Sequence, residues 1–237
     1  MVHIANEYSI PVTLFFTGKC VKENPDLIKK IAAKSNVEIG GHNYFAFEPR
    51  LPFELYQRIR GLKNGPYVYQ WFEVGITKMI FRKKCNIELY SWRNHAYRHD
   101  KNTRKILKSH KIKFLSDVLS KSGGQPKRNQ GVVDVPINTL PDHDYVFHGA
   151  RQPETVDSQT LLRTHFATAP IQKEEWLKRI FKEVKEITSK NGVATILAHP
   201  ACMEVFDGFK TFKKLCEFLK DYKLCLMRDI SNNFIKD

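Results

Sequence analysis

Cysteine is scarce in this sequence, and its spacing fits no paired framework. The chain has five cysteines in 237 residues, an odd number, and no two of them are separated by just two residues. This pattern excludes a regular disulfide framework and a cysteine-rich zinc site. We therefore expect reduced, buried thiols at Cys20, Cys85, Cys202, Cys216 and Cys225.

Long apolar runs are also missing. No uninterrupted hydrophobic stretch approaches the roughly 20 residues that span a bilayer. Residues 1–7 lack the basic-then-apolar order of a signal peptide. The composition is that of a globular protein, because 42% hydrophobic and 12% aromatic residues supply a large core. These features predict a soluble, cytoplasmic protein.

Acidic residues are outnumbered, with 25 Asp and Glu against 39 Lys and Arg and a net charge of +14. Such a charge would attract phosphate-bearing or anionic glycan partners. The basic residues are spread along the chain, however, and no nucleic-acid-binding module accompanies them. The charge therefore fits solvated helix faces better than a nucleic-acid partner, and an anion-binding protein stays open as a weaker interpretation.

The N-terminal part of the chain has β-α-β order. Residues 11–17 form a β-rich run, residues 24–26 (Asn-Pro-Asp) resemble a helix start, and a short strand pattern follows at residues 37–39. This order predicts a parallel strand pair with a right-handed crossover. No repeat or linker interrupts the sequence, so we predict a single α/β domain over residues 1–237.

Helical and strand patterns continue to alternate after this unit. The polar stretch at residues 120–130 contains two adjacent glycines and is predicted to be a surface loop. The predicted helices lie at about 69–80, 100–107, 173–190 and 209–219, and the predicted strands lie at 89–93, 113–115, 132–137, 194–199 and 224–227.

Polar side chains come directly after three of the predicted strands. His42 follows the strand at residues 37–39, while Arg93 and His199 end two later strands. Ligands of α/β sheets and barrels bind at the carboxyl edge of the strands, so we expect these residues to form one active-site face. His42 could instead pack in the core, and Arg93 could instead form a structural ion pair at the rim.

Residues 10–18, 24–31 and 38–44 follow the order of an apolar strand, a helix beginning near Asn-Pro, and a strand ending in Glu-Ile-Gly-x-His. In this order the chain resembles the polysaccharide deacetylases, the NodB-homology group or carbohydrate esterase family 4. Residues 92–93 (Trp-Arg) look like the family's arginine motif, and residues 197–200 (Leu-Ala-His-Pro) look like its final histidine strand. The overall pattern is similar to a divergent branch associated with bacterial surface-polysaccharide biosynthesis.

The resemblance implies a distorted (β/α) barrel of the NodB type and a divalent metal, usually zinc, that serves to remove acetyl groups from N-acetylated sugars. This chemistry needs a metal that polarises the carbonyl, a base that takes a proton from water, and an acid for the leaving amine. By resemblance, His42 would be a metal ligand, Arg93 would orient the base, and His199 would be the acid. The implied partner is a carbohydrate substrate.

Three departures from the family pattern are present. The first family motif, a strand ending in paired aspartates, would precede residue 1, so the barrel is expected to lack its first strand. The second metal histidine, four residues after His42, falls at Ala46, which cannot bind a metal. The proline expected two residues after Arg93 is His95. One ligand would not hold zinc, because zinc sites need three or four protein ligands.

Other polar residues could rebuild the site. His95 and His143 are the candidate metal ligands beside His42, because imidazole nitrogen suits zinc. Polar clusters at barrel mouths also bind sugars without a metal. The candidate substrate-binding residues are Trp92, Tyr97, Asp142, Asp144 and His148.

Residues 141–144 (Pro-Asp-His-Asp) allow two interpretations. A carboxylate beside an imidazole can fix its tautomer. Adjacent strand residues point to opposite faces, however, so this triplet is not expected to act as one dyad, and a turn is the simpler interpretation.

Two functional hypotheses follow. The first is a metal-dependent, deacetylase-like hydrolase that removes an acyl group from an N-acylated sugar in cell-surface glycan biosynthesis. The alternative is a catalytically inactive NodB-fold protein, or an N-terminally truncated form, that retains only carbohydrate binding.

Overall fold

The computed structural model describes residues 1–45, 58–59, 65–120, 124–143 and 171–237. The chain groups into two compact units, each built from several chain segments. The single domain expected from the sequence stays a prediction. Unit 1 comprises Met1–Ile10, Leu119–Pro126 and Pro136–Leu224, and unit 2 comprises Pro11–Val118, Lys127–Val135 and Cys225–Asp237.

Helices and strands alternate along the chain, which confirms the predicted α/β class. The helices are α1 (Val2–Glu7), α2 (Gly18–Glu23), α3 (Pro25–Ala32), α4 (Tyr67–Ile80), α5 (Thr103–Ser109), α6 (Lys173–Thr188), α7 (Pro200–Asp207) and α8 (Lys210–Leu219). The strands are β1 (Val12–Phe16), β2 (Val37–Gly41), β3 (Ser91–Trp92), β4 (Phe114–Leu115), β5 (Lys127–Asn129) and β6 (Val132–Asp134).

Unit 2 contains the sheet, in the order β1-β2-β3-β4-β6-β5. The pairs from β1 to β6 are parallel, and β5 is antiparallel to β6. The parallel β1–β2 pair confirms the β-α-β prediction. Over the described ranges the sheet is open, with β1 and β5 at its edges.

The glycines of β2 allow aromatic rings to cover the strand. A Cβ atom at Gly41 would collide with the six-membered ring of Trp92, and one at Gly40 would collide with the ring of Phe15. Residues without a side chain are therefore needed where the rings approach the backbone. These contacts pack β2 tightly against its neighbours.

Glu38 of β2 links several elements of unit 2. Its buried carboxylate accepts hydrogen bonds from the hydroxyl groups of Thr13 in β1 and Ser91 in β3. It also accepts one from the backbone N–H of Arg228, at 3.0 Å. Because a buried carboxylate must be hydrogen-bonded, these contacts hold β1, β2, β3 and the C-terminal segment at a fixed spacing.

Two helices of unit 2 begin with residues that favour a helix start. Thr17 caps α2, because its hydroxyl oxygen accepts a hydrogen bond from the backbone N–H of Cys20 at 3.1 Å. Pro25 occupies the first turn of α3, where its missing N–H costs nothing. Helix α4 continues into a π-helical turn, Phe81–Cys85, and ends at Asn86 with a left-handed backbone.

The predicted surface loop at residues 120–130 contains a strand instead. Residues 127–129 form β5, and Gln130 and Gly131 both have positive φ angles, 51° and 82°. Two such residues make a tight hairpin turn that suits the twist of the paired strands. The charged Lys127 and Arg128 are tolerated because their side chains are exposed on the last strand of the sheet.

Two predicted strands are wrong. Over residues 192–199 of the described chain no strand forms, because side chains take the place of a neighbouring strand. Asn138 donates to the carbonyl of Val193 at 2.8 Å and accepts from the N–H of Thr195 at 2.8 Å. Residues 224–227 are also not a strand, because Met227 begins a 3-10 turn, Met227–Asp229.

Unit 1 contains α1, α6, α7 and α8. Helices α6 and α8 pack through the rings of Phe181 and Phe218, which stack with centroids 3.9 Å apart. Helix α7 was not predicted, because the strand pattern of residues 194–199 continues up to Pro200. Pro200 occupies the first turn of α7 instead, a position that proline favours.

Among the described residues, no helix has the length and apolar character that crossing a membrane requires.

Candidate functional site

In unit 2, polar residues follow the carboxyl ends of neighbouring parallel strands. The backbone N–H of His42 donates to the carbonyl of Phe16 at 3.0 Å. The N–H of Arg93 donates to the carbonyl of Gly41 at 3.0 Å, so the ladder continues past β2 and β3. His42 and Arg93 therefore lie at the same sheet edge, where the sequence placed them.

Arg93 fixes the end of the next strand. Its Nε donates to the carbonyl oxygen of Ser116 at 3.0 Å, and its Nη2 donates to the hydroxyl of Ser116 at 2.6 Å. The guanidinium also lies over the Phe15 ring, 4.6 Å from its centroid. Burial lowers the pKa of Arg93, while the charges of Tyr97 and Asp117 raise it. Arg93 is thus held in one orientation by contacts on two sides.

Asp117 was not recognised in the sequence and lies beside this arginine. It is 1% exposed and accepts hydrogen bonds from the backbone N–H and side-chain amide of Asn94, at 2.8 and 2.7 Å. Burial raises its pKa to about 7, although the Asn94 hydrogen bonds and the charges of Arg93 and Arg104 oppose the shift. The strand-end pattern could have found it, since residues 116–117 (Ser-Asp) follow β4.

His42 has one ring nitrogen committed to the backbone. Its Nδ1 lies 2.6 Å from the carbonyl oxygen of Arg93. A carbonyl oxygen can only accept, so in the neutral imidazole Nδ1 carries the hydrogen and the lone pair lies on Nε2. Metal-binding histidines are commonly oriented in this way.

His95 lies next to His42 in unit 2. The centroids of the two rings are 5.6 Å apart. The backbone N–H of His95 donates to the side-chain oxygen of Asn43 at 2.9 Å, and Asn43 in turn donates to Glu73 at 3.0 Å. The structure therefore brings two of the three predicted metal ligands together.

The two aromatic candidates differ in exposure. Trp92 is 0% exposed and donates from Nε1 to the side-chain oxygen of Asn94 at 2.9 Å. Its indole has no exposed face on which a sugar ring could stack, so the predicted sugar contact does not fit the structure. Tyr97 is partly exposed and has a positive φ angle of 55°. Its proposed substrate contact stays a prediction.

Unit 1 contains a carboxylate–imidazole pair that joins distant parts of the sequence. Oδ1 of Asp142 is 2.7 Å from Nδ1 of His199, and Oδ2 accepts the backbone N–H of His199 at 2.7 Å. The Asp142 side chain is 0% exposed, whereas that of His199 is 38% exposed. The sequence alone favours a turn at Asp142, and the structure pairs this residue with His199, which lies 57 residues away.

His143 and Cys202 complete a cluster around this pair. Nδ1 of His143 is 3.3 Å from the Cys202 sulfur, and the His143 and His199 rings have centroids 5.0 Å apart. His143, His199 and Cys202 each have one possible ligand atom within 4.8 Å of those of the other two. Cys202 is buried, as predicted, but its place in the cluster was missed. The spacing His199-x-x-Cys202 was the available signal.

The cluster is held by hydrogen bonds to the backbone around it. Both backbone polar groups of Leu140 are bound by α6, since Glu183 accepts its N–H at 2.9 Å and the indole of Trp176 donates to its carbonyl at 2.8 Å. On the other side, the Thr139 hydroxyl donates to the carbonyl of Thr195 at 2.8 Å. These bonds position the segments that carry Asp142 and His199.

Two predicted substrate-binding residues, Asp144 and His148, lie outside the described residues, as does Ala46.

No family sequence model matches the chain, and no curated protein matches it. Solved structures do match. A candidate polysaccharide deacetylase from Mycobacterium smegmatis has a TM-score of 0.73 at 15% identity, over 98% of this chain and 74% of that chain. A carbohydrate esterase family 4 pseudoenzyme from Bacillus anthracis has a TM-score of 0.57 at 15% identity, over 100% and 60%.

A family 4 carbohydrate esterase from Streptomyces lividans, solved in complex with acetate, is also similar. Its TM-score is 0.56 at 10% identity, over 94% of this chain and 81% of that chain. At these identities the likeness concerns the fold, and the chain has the fold of the NodB-like polysaccharide deacetylases of carbohydrate esterase family 4.

Proposed function

We propose that this chain hydrolyses the acyl amide of an N-acylated sugar in a reaction that depends on a divalent metal, zinc in the first instance. The observation that carries the proposal is the Asp142–His199 pair in unit 1. A fold found in carbohydrate esterases supports the substrate class. The cytoplasmic location and the role in surface-polysaccharide biosynthesis belong to the same proposal and rest on the sequence patterns.

The pair gives His199 a defined chemistry. A carboxylate accepts, so Nδ1 of His199 carries the hydrogen and the lone pair lies on Nε2. The buried Asp142 carboxylate fixes the tautomer of the ring and holds its orientation. Because the His199 side chain is partly exposed, an incoming ligand can reach it. Nε2 can therefore bind a metal, or exchange a proton with substrate as the resemblance implies.

Each unit has residues suited to a metal. When bound, a divalent metal polarises a carbonyl and lowers the pKa of its water. In unit 2, His42 fits because its Nδ1–H bond to a backbone carbonyl is typical of metal-binding histidines, and His95 lies beside it. In unit 1, His143 lies with two other donor residues. Arg93 would position the residues that follow β4 at the strand edge, through its hydrogen bonds to Ser116.

The sugar contacts are also proposals. Tyr97, Asp144 and His148 stay candidates for binding the substrate. Asp142 is better assigned to holding His199, since its carboxylate is fully buried and both oxygens are bonded to that residue.

Acetate release from N-acetylated oligosaccharides tests the proposal. With zinc added, we expect the wild type to release acetate and His199→Ala to be at least about 100-fold slower. His3→Ala is the matched control, because His3 is an exposed histidine of unit 1, and it should keep wild-type activity. If the wild type releases no acetate from any member of a panel of N-acylated sugars, the proposal is overturned.

The sequence feature that favours the second candidate, carbohydrate binding without catalysis, is Ala46. It occupies the family's second histidine position and has no metal-binding atom. Calorimetric sugar binding by a wild type that releases no acetate would support this candidate.

A further inference from the structure

We infer that His143, His199 and Cys202 of unit 1 form a zinc site in which Asp142 orients His199. The inference rests on the proposed function for the use of the metal and on the geometry of unit 1 for its binding. Neither His199 nor Cys202 was expected to bind a metal.

One donor separation in the cluster already matches a tetrahedral ion. Zinc–nitrogen bonds of about 2.0 Å and zinc–sulfur bonds of about 2.3 Å keep neighbouring donors roughly 3.5 Å apart. The His143 nitrogen and the Cys202 sulfur are already 3.3 Å apart. All three ligand atoms lie within 4.8 Å of one another, so small side-chain movements would close the site around an ion.

His199 is oriented before an ion arrives. Asp142 binds both the ring Nδ1 and the backbone N–H of His199, each at 2.7 Å, which fixes the rotation of the residue. The lone pair is thereby placed on Nε2. A carboxylate behind a metal-binding histidine is the usual supporting arrangement in zinc sites.

Helix α7 brings two of the donors together. His199 is the residue that caps α7, and Cys202 lies three residues later in its first turn. Residues three apart on a helix lie on the same side. The Met203 N–H donates to the His199 carbonyl at 3.0 Å, so the turn is formed in the structure. One short sequence therefore supplies both ligands at a fixed separation.

The burial of Cys202 favours a ligand over a nucleophile. At 1% exposure, its sulfur is closed to a sugar substrate but could be reached by a small ion. One sulfur and two imidazole nitrogens select zinc over magnesium or calcium, which prefer oxygen. Three protein ligands are the number that catalytic zinc sites use, and the partial exposure of His143 and His199 lets a small ion reach them.

Metal binding changes the role of His199. Its Nε2 cannot hold a metal and carry a proton at the same time. In the metal-bound protein, the proton donor implied by the family resemblance must therefore be a group other than His199.

Cobalt substitution tests the site directly. We expect the chelated wild-type protein to bind one equivalent of Co²⁺ and to show the near-ultraviolet charge-transfer band of a cobalt–thiolate bond. Cys202→Ser should lose this band. Cys216→Ser is the matched control, since it removes another buried thiol of unit 1, and it should keep the band. Asp142→Asn should weaken metal binding about 10- to 100-fold.

Several results would overturn the inference. They are a wild type that retains neither Co²⁺ nor Zn²⁺, a thiolate band that persists in Cys202→Ser, and retention of Cu²⁺ alone. Because the wild-type spectrum is informative by itself, a variant that fails to fold does not decide the outcome. An intact cobalt–thiolate band without acetate release would overturn the proposed function and support the metal site.

Discussion

Asp117 shows how a single residue acquires an unusual property from its surroundings. Its carboxyl group is buried beside Arg93, and the hydrogen bonds from Asn94 and the charges of Arg93 and Arg104 partly offset the burial. The resulting pKa of about 7 means that the folded protein holds a proton there at mildly acidic pH. A carboxylic acid held neutral near pH 7 is a common feature of functional sites.

This pKa predicts a pH-dependent stability. The ordinary pKa of the group is 3.8, so between about pH 4 and 7 the folded state holds a proton that the unfolded state has lost. The free energy of unfolding should therefore fall as the pH rises through this range, by up to about 4 kcal/mol, since one pKa unit corresponds to about 1.4 kcal/mol.

Denaturant unfolding of the wild type and Asp117→Asn measures this pH dependence of stability. The two measurements are made at about pH 4.5 and pH 7.5, near the two ends of the range. The variant should show a weaker fall in stability than the wild type. Asp221→Asn, which alters an exposed aspartate, should follow the wild type. Equal pH dependence in Asp117→Asn and the wild type would show that Asp117 titrates normally.

The packing of the strands in unit 2 depends on a few side chains and on two glycines. Strand β2 can be covered by Phe15 and Trp92 because positions 40 and 41 are glycine. The same strand carries Glu38, which bonds to β1 and β3. The sequence correctly predicted β2, but it could not indicate which residues would contact its glycines.

Gly41→Ala should destabilise the protein by about 2–3 kcal/mol, because the new methyl group would overlap the buried Trp92 ring. Gly208→Ala is the control. Its added Cβ meets no atom within 4 Å, and only the positive φ angle of 61° opposes it, at about 1 kcal/mol. The comparison is made by urea unfolding, and a smaller loss in Gly41→Ala than in Gly208→Ala would refute the packing argument.

Glu38→Ala should cost about 2–4 kcal/mol, because it leaves the donors of Thr13, Ser91 and Arg228 without their acceptor. Glu38→Gln keeps an acceptor oxygen and should lose about half as much. Chemical denaturation of both variants separates the two cases. Equal, small losses would mean that these hydrogen bonds do not hold the strands together.

Sequence patterns correctly predicted elements whose backbone groups bond to other backbone groups. They failed where side chains supply the hydrogen bonds instead. The parallel strands β1 and β2 and helices such as α6 were predicted close to their observed bounds. Residues 194–199 have the composition of a strand, yet the backbone of Val193 and Thr195 is bonded to the side chains of Asn138 and Thr139. Composition cannot reveal that side chains replace a neighbouring strand as the hydrogen-bond partners. Strand β5 was missed because exposed edge strands carry the charges typical of loops.

At the scale of the whole molecule, the fold class was accessible from the sequence and much of the site was not. Strand order and the Glu-Ile-Gly-x-His run were enough to identify a polysaccharide-deacetylase type of fold. The strand-end rule correctly placed His42 and Arg93 at one edge of the sheet. It could not pair Asp142 with His199, because that contact spans 57 residues and depends on how unit 1 folds.

The most direct test of the account is acetate release measured as zinc is returned to the chelated protein. We predict no release from the metal-free protein, and a rise that ends at one equivalent of zinc for the wild type. Cys202→Ser should need a large excess of zinc to reach any comparable rate. Release that persists after chelation, or no release at any zinc loading, would contradict the central claim of a metal-dependent hydrolase.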